Sequence, residues 1–317
     1  MSQRPEHAHH VDLVFEGGGV KGIGLAGAVA TLETHGYRPQ NVAGTSAGAI
    51  SASLLAAGYS ADELREIIMN LDYRQFEDKG WEDKVPVVDR SLSLLLDLGI
   101  YEGRRFFEWI RELLAAKGVT TFADLVHPEY ADDPLYRWRL QVIASDVTSH
   151  ELLVLPRDAH KLGIEPDRLN VALAVRMSMS IPYFFTPVRV TNTLGQRCYI
   201  VDGGLLSNFP IELFDTPPPA VPAWPTFGFA LVSDPTEPTA DVRVESKVRG
   251  LLTLFAALFH TAVVAHDAHA MAVPDVAART MRIDDLGIPP TQFDLTQAQK
   301  VALYHAGQAA ARDFLAT

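Results

Sequence analysis

The patterned part of the chain opens with Val11-Asp12-Leu13-Val14-Phe15, a short β-favouring run cut by Gly17-Gly18-Gly19. Ile23, Ala26, Val29, Ala30 and Leu32 then recur at roughly helical spacing, Gly36 supplies a stop and Pro39 confirms the break. Asn41-Val42-Ala43 predicts a second strand. Gly44-Thr45-Ser46 turns from it into a helix that carries Ile50, Leu54 and Leu55 and stops at Gly58. Ser60-Ala61-Asp62-Glu63 has the form of a capping box, ahead of a helix with Leu64, Ile67, Ile68 and Leu71 on one face. Residues 73–100 are irregular and mixed. Phe106, Phe107, Ile110, Leu113 and Leu114 form the apolar stripe of an amphipathic helix over 102–117, ended by Gly118.

Beyond it, 138–144 and 151–155 read as paired strands around a turn at 146–149, and 170–178 as a helix ended by Pro182. A strand at 199–201 is closed by Asp202-Gly203-Gly204, and 226–232 predicts another after a proline-rich loop. The C-terminal third predicts helices at about 246–272 and 296–315 around a strand at 280–283. Strands alternating with helices imply an α/β fold with a central, largely parallel sheet and helices on both faces. In such sheets the ligand site lies at the carboxyl ends of the strands. Residues 1–10 read as a flexible tail and 11–317 as one domain.

Composition narrows the picture. The 317 residues are 48% hydrophobic and 21% charged, an ordinary globular balance. A formal net charge of −12 argues against a nucleic-acid binder and against general attraction to anionic membranes. The one cysteine, Cys198, excludes an internal disulfide and sits in an apolar run that predicts a core thiol. The opening MSQRPEHAHH has no apolar stretch of the secretory type, and His7, His9 and His10 read as tail rather than metal site. The longest apolar stretch, 251–265, is short of the ~20 residues that span a bilayer. It predicts a core helix, with a lid or membrane-contacting helix as the alternative, and 85–100 is a second lid candidate. The expectation is a cytosolic protein, with room for peripheral contact at membranes.

Three short motifs carry chemistry. Gly44-Thr45-Ser46-Ala47-Gly48 is a G-x-S-x-G between a predicted strand and helix, the setting in which a serine is exposed on a strained turn. A Gly/Ser turn without function is its bland alternative. Gly17-Gly18-Gly19-Val20-Lys21-Gly22 offers backbone N–H groups ahead of a helix, which beside a nucleophile would make an oxyanion hole. The same run fits the dinucleotide fingerprint. No Asp or Glu stands between Gly36 and Ala61, however, where a ribose carboxylate belongs, and Gly22 rather than Ser or Thr follows Lys21, which excludes a P-loop. Asp202-Gly203-Gly204 places a carboxylate at a strand end as a general base, or is simply a turn. Lys21 is a candidate to bind phosphate or steady its loop, and Arg176 to position the loop before Pro182. No spacing of metal ligands is present, and no cofactor is expected.

Together, Phe15-Glu16-Gly17-Gly18-Gly19-Val20-Lys21-Gly22, Gly44-Thr45-Ser46-Ala47-Gly48, Asp202-Gly203-Gly204 and the segment Arg176–Pro182 resemble the patatin-like phospholipases, from about Leu13 to the Asn208 region. The resemblance implies a three-layer α/β/α fold and a lipid acyl hydrolase. In it Ser46 would be the nucleophile, Asp202 its base, and Gly17, Gly18 and Gly19 the oxyanion loop. Gly22, Gly44, Gly48, Gly203 and Gly204 would support these motifs. Met177 and Tyr183 depart from the usual small residue and glycine, which bears on pocket width. The implied substrate is a membrane phospholipid or another acyl lipid. Three alternatives stand beside this reading: a Ser-Asp-His triad completed by His260 or His266, a lipid-binding or scaffolding protein without turnover, and a nucleotide-binding oxidoreductase.

Overall fold

The computed structural model describes residues 9–72, 100–182, 185–216, 220–233, 251–290 and 292–317. The leucine-rich stretch up to residue 99 and Tyr183 lie outside the described residues. Among the described residues, eight strands form one sheet: β1 (His9–Phe15), β2 (Tyr37–Thr45), β3 (Leu140–Asp146), β4 (Glu151–Leu155), β5 (Val188–Thr191), β6 (Arg197–Asp202), β7 (Thr226–Val232) and β8 (Thr280–Asp284). Helices α1 (Gly22–Thr34), α2 (Ala47–Ala56), α3 (Ala61–Asn70), α4 (Ile100–Ala116), α5 (Val171–Ser178), α6 (Leu251–Met271), α7 (Pro274–Ala278) and α8 (Gln297–Leu315) connect and flank it. The strand order is β5-β6-β3-β2-β1-β7-β8, with β4 also on β3. The β3-β2-β1-β7-β8 part is parallel throughout, and antiparallel pairs are confined to β4, β5 and β6.

The centre of the sheet is buried on both faces, as a parallel sheet requires. Along β1, Val11, Leu13 and Phe15 join the larger core beneath α1 and α2, while Val14 joins a second core with Ala43, Phe209, Ile211 and Phe214. The Ser60–Glu63 capping box forms as expected, each side chain meeting the other's backbone N–H.

Two boundaries differ from expectation. β1 begins at His9, with His9 opposite Tyr37 and His10 opposite Arg38, so these two residues belong to the sheet. Pro39 lies inside β2 instead of ahead of it. It faces Val11, beside a register shift between Val11 and Leu13, where a bulge interrupts the ladder and the missing N–H is tolerated.

The ladder around β3 explains how distant motifs meet. Val142 and Ile143 pair with both β2 and β4, and Ala144, Ser145 and Asp146 pair with both β6 and β4. A strand has only two edges, so β2 and β6 share the edge opposite β4. β2 is parallel to β3 and β6 antiparallel, and they therefore run toward each other. They stop with Thr45 opposite Ile143 and Asp202 opposite Ala144. The residue after Thr45 is Ser46.

Candidate active site

Ser46 stands between β2 and α2 with φ 53° and ψ −126°, a conformation that non-glycine residues rarely adopt and that marks a strained turn. The elbow closes only because its flanks lack side chains. A Cβ on Gly44 would lie 2.4 Å from the Gly48 carbonyl carbon, and one on Gly48 would lie 2.5 Å from the Phe15 oxygen. Ser46 N–H donates to Ser178 Oγ at 2.9 Å, which ties the elbow to the end of α5. Ser46 Oγ donates to Met179 Sδ at 3.7 Å, a weak resting contact.

Asp202 ends β6 and is buried. Its Oδ1 accepts from Gly204 N–H at 2.8 Å, and its Oδ2 is buried with no partner among the described residues. Burial pushes its pKa up to about 7, against the lowering effect of hydrogen bonding from the Ser46 side chain and the Gly204 N–H. The serine hydroxyl is thus near enough to influence the carboxyl, while its aligned resting bond goes to sulfur.

The glycine loop passes beside the serine: a Cβ on Gly17 would lie 3.2 Å from Ser46 Cβ. One expectation needs correction here. Gly17 N–H donates to the Asn208 carbonyl at 3.1 Å and is not free to meet an oxyanion. The Gly18 and Gly19 N–H groups have no partner among the described residues. Gly19 has φ +56°, and its Cα passes so close to Pro290 that a Cβ would lie 2.0 Å from the Pro290 oxygen. Val20 N–H donates to that oxygen at 3.1 Å. Gly22 begins α1. Lys21 is buried and bridges to Asp285 at 2.8 Å, so it tethers the loop to the chain just past β8. Arg176 donates to Ser180 Oγ at 2.6 Å and to the Thr186 carbonyl at 2.9 Å, holding the turn around Pro182. Met177 is fully buried.

Ser46, Asp202 and the glycine loop open into one cavity of about 290 Å³. Leu231, Val232, Phe209 and Ile288 supply apolar wall, and Phe259, Val263 and Val264 of α6 another. Over 257–271, α6 has no fully buried residue, and Leu258 is 54% exposed. This part of α6 is therefore not the core helix expected: one side of it lines the cavity and the other meets solvent. His260 lines the cavity too, its pKa held below the usual value by burial and by the charge of Lys21. Neither His260 nor His266 donates to Asp202 among the described residues. Cys198 is buried, which pushes its thiol pKa up, in keeping with a core thiol.

Sequence reasoning missed four side chains at the site: Ser178 beneath the elbow, and Glu16, Asn208 and Asp267 behind the glycine loop. Ser178 lay inside a segment already singled out. Glu16 lay inside the glycine-loop segment, also singled out, whereas Asn208 lies 192 residues beyond it and Asp267 a further 59 on, and those two carry no local pattern.

The fold and site together define an α/β protein with a serine elbow, and comparison with known proteins specifies which. The model of the patatin-like phospholipase family matches residues 13–215. YqhO, an uncharacterised protein of Bacillus subtilis, is 39% identical over 307 residues, covering 96% of this chain and 98% of YqhO. The probable lipid hydrolase 463L of invertebrate iridescent virus 6 is 24% identical over 226 residues, 67% of this chain and 65% of that protein. The crystal structure of VipD from Legionella pneumophila shares the fold with a TM-score of 0.57 at 18% identity, covering 97% of this chain and 67% of VipD. The chain belongs to the patatin-like phospholipase family.

Proposed function

We infer that this protein hydrolyses fatty acyl esters of lipids through an acyl-enzyme on Ser46, with Asp202 as the base. The observation that carries the reading is the head-on meeting of β2 and β6, which sets Ser46 beside a buried carboxyl with one unpartnered oxygen. An apolar cavity at that point suits an acyl chain.

In the first half-reaction, Ser46 Oγ attacks the ester carbonyl and its proton passes to Asp202 Oδ2. The oxyanion forms against the unpartnered N–H groups of Gly18 and Gly19, at a loop held by Asn208, Pro290 and the Lys21–Asp285 pair. Collapse releases the alcohol, which takes the proton from Asp202, and leaves the acyl group on Ser46. Water then attacks the acyl-enzyme, gives its proton to Asp202, and the fatty acid departs with Ser46 reprotonated. A pKa near 7 lets one carboxyl both accept and return the proton at neutral pH.

The test is a lipid-like fluorophosphonate followed by peptide mapping. One adduct on Ser46 is expected, with Ser46→Ala unlabelled and slower by on the order of 10⁴-fold or more in kcat. A wild-type protein that neither labels nor turns over acyl esters would return the reading to a lipid-binding role.

A further inference from the structure

Behind the glycine loop, Asn208 Nδ2 lies 2.8 Å from Asp267 Oδ2, 3.1 Å from Glu16 Oε1 and 3.2 Å from the Gly17 carbonyl. An amide nitrogen has two protons, and here it meets three acceptors. Glu16 is buried, and its other oxygen accepts from Leu231 N–H. The crowding is relieved when a further proton is shared between the two carboxyls. Asn208 also receives Gly17 N–H on its main-chain carbonyl, so a single residue holds both polar groups of Gly17. The next two residues, Gly18 and Gly19, line the cavity, and their N–H groups have no partner among the described residues.

We propose that Asp267 of α6 is a positioning residue for the glycine loop: paired with Glu16, it fixes the Asn208 amide and through it the direction of the Gly18 and Gly19 N–H groups. The inference rests on the hydrolase reading for its catalytic consequence, not for its geometry. It gives α6 a part in the chemistry although that helix lies beyond residue 215, where the family match ends. The groups that face Asp267 are Glu16 and Lys21 from the glycine loop and His266 from α6 itself. His260 sits near Lys21 about two helical turns earlier, and Arg282 and Asp285 line the same cavity from β8 and just beyond. Lys21 is committed to Asp285 and does not bridge to the carboxyl pair. Burial, then the repulsion of Asp267, pushes Glu16 well above the usual carboxyl range, and burial also raises Asp267. Both shifts mean that the clamp is whole at low pH and loosens as pH rises and the second carboxyl ionises.

The experiment compares wild-type protein, Asp267→Ala and Asp267→Asn as full chains. Hydrogen exchange of the 16–21 segment is followed by mass spectrometry against pH and corrected for intrinsic rates, and kcat and KM are measured on a short-chain acyl ester. Asp267→Ala should speed exchange of the glycine loop at least ~10-fold and cut kcat by roughly 10–100-fold with KM little changed, because small misplacements of catalytic donors are costly. Asp267→Asn keeps an acceptor for Asn208 and supplies Glu16 with a permanent donor. It should recover most of that loss and hold loop protection flat with pH, where the wild type loses protection as pH rises. Unchanged loop exchange in Asp267→Ala, or an Asp267→Asn as impaired as the alanine variant, overturns the proposal. If Asp267→Ala also loses protection of β1 it has unfolded, and the pH profile of Asp267→Asn decides: a profile like the wild type's overturns it. The exchange arm needs no turnover, so a protein that fails to hydrolyse esters sinks the hydrolase reading and leaves this test standing.

Discussion

Asp202→Asn should produce an enzyme that is inactive and, at alkaline pH, more stable than the wild type relative to the same comparison in acid. The carboxyl is buried, and its pKa rises from 3.8 to about 7. At 1.36 kcal/mol for each tenfold change in proton affinity, that rise is worth roughly 4 kcal/mol. The sign follows from linkage. A folded state with the raised pKa binds the proton more tightly than the unfolded chain. The wild type therefore loses stability as pH climbs from about 4, and the loss is complete above about 7. The amide that replaces the carboxyl does not titrate. The stability of Asp202→Asn minus that of the wild type should accordingly grow by about 4 kcal/mol between pH 4 and pH 8.

A second, constant contribution offsets this gain. The amide Nδ2 replaces an oxygen that has no partner, and a buried donor left unmet costs about 1–3 kcal/mol. That cost does not change with pH, so the pH dependence of the difference is the clean quantity. Urea unfolding of both proteins at several pH values measures it, provided both transitions are two-state. A difference that stays constant with pH, or that shifts in favour of the wild type as pH rises, refutes the placement of Asp202 as a buried titrating carboxyl. In the same series the wild-type kcat/KM should rise with pH through about 7, as the base becomes able to accept a proton, while Asp202→Asn stays inactive throughout.

Other outcomes follow from single contacts. Gly19→Ala places a methyl at positive φ and 2.0 Å from the Pro290 oxygen, and should cost about 10²-fold in kcat, as the loss of one oxyanion donor does. Gly18→Ala should be milder, since its methyl meets only the movable end of Leu231; equal damage in steady-state assays would count against the loop geometry. Gly48→Ala forces a methyl onto the Phe15 and Glu16 carbonyls and should lower both Tm and labelling of Ser46; an unaltered Tm would be the contrary result. His260→Ala and His266→Ala should each keep kcat within a few-fold of the wild type. If either falls as far as Asp202→Asn with its fold intact, a triad replaces the dyad.

Much of the candidate site was legible before the fold, because its hardest requirement is written locally. A strained elbow needs small flanks, so Gly44 and Gly48 announce Ser46 from five adjacent letters, and a strand-ending Asp-Gly-Gly announces Asp202. The amphipathic helix at 100–116 was readable because it carries its own period, and β7 because it is a short, nearly continuous run of buried residues after a proline-rich loop. β5 was not foreseen, being four residues of edge strand that no face of the core patterns strongly. Pro39 misled because its place in β2 depends on a bulge that only the partner strand reveals.

The remaining gap is physical rather than a matter of closer reading. Three glycines in a row say that a backbone loop can offer N–H groups; they do not say which of those groups are already taken. Gly17 loses its N–H to a carbonyl 191 residues away, and only the folded arrangement of Asn208, Glu16 and Asp267 makes that so. The pairing of Ser46 with Asp202 has the same character. Neither motif contains a hint of the other, and their meeting depends on β6 descending the edge of β3 that β2 ascends. Had β6 run parallel to β3, its last residue would lie away from the end of β2, and the same two motifs would make no site. Local sequence therefore specifies the chemistry available at each strand end. Strand direction in the sheet decides which of those chemistries act on the same atom.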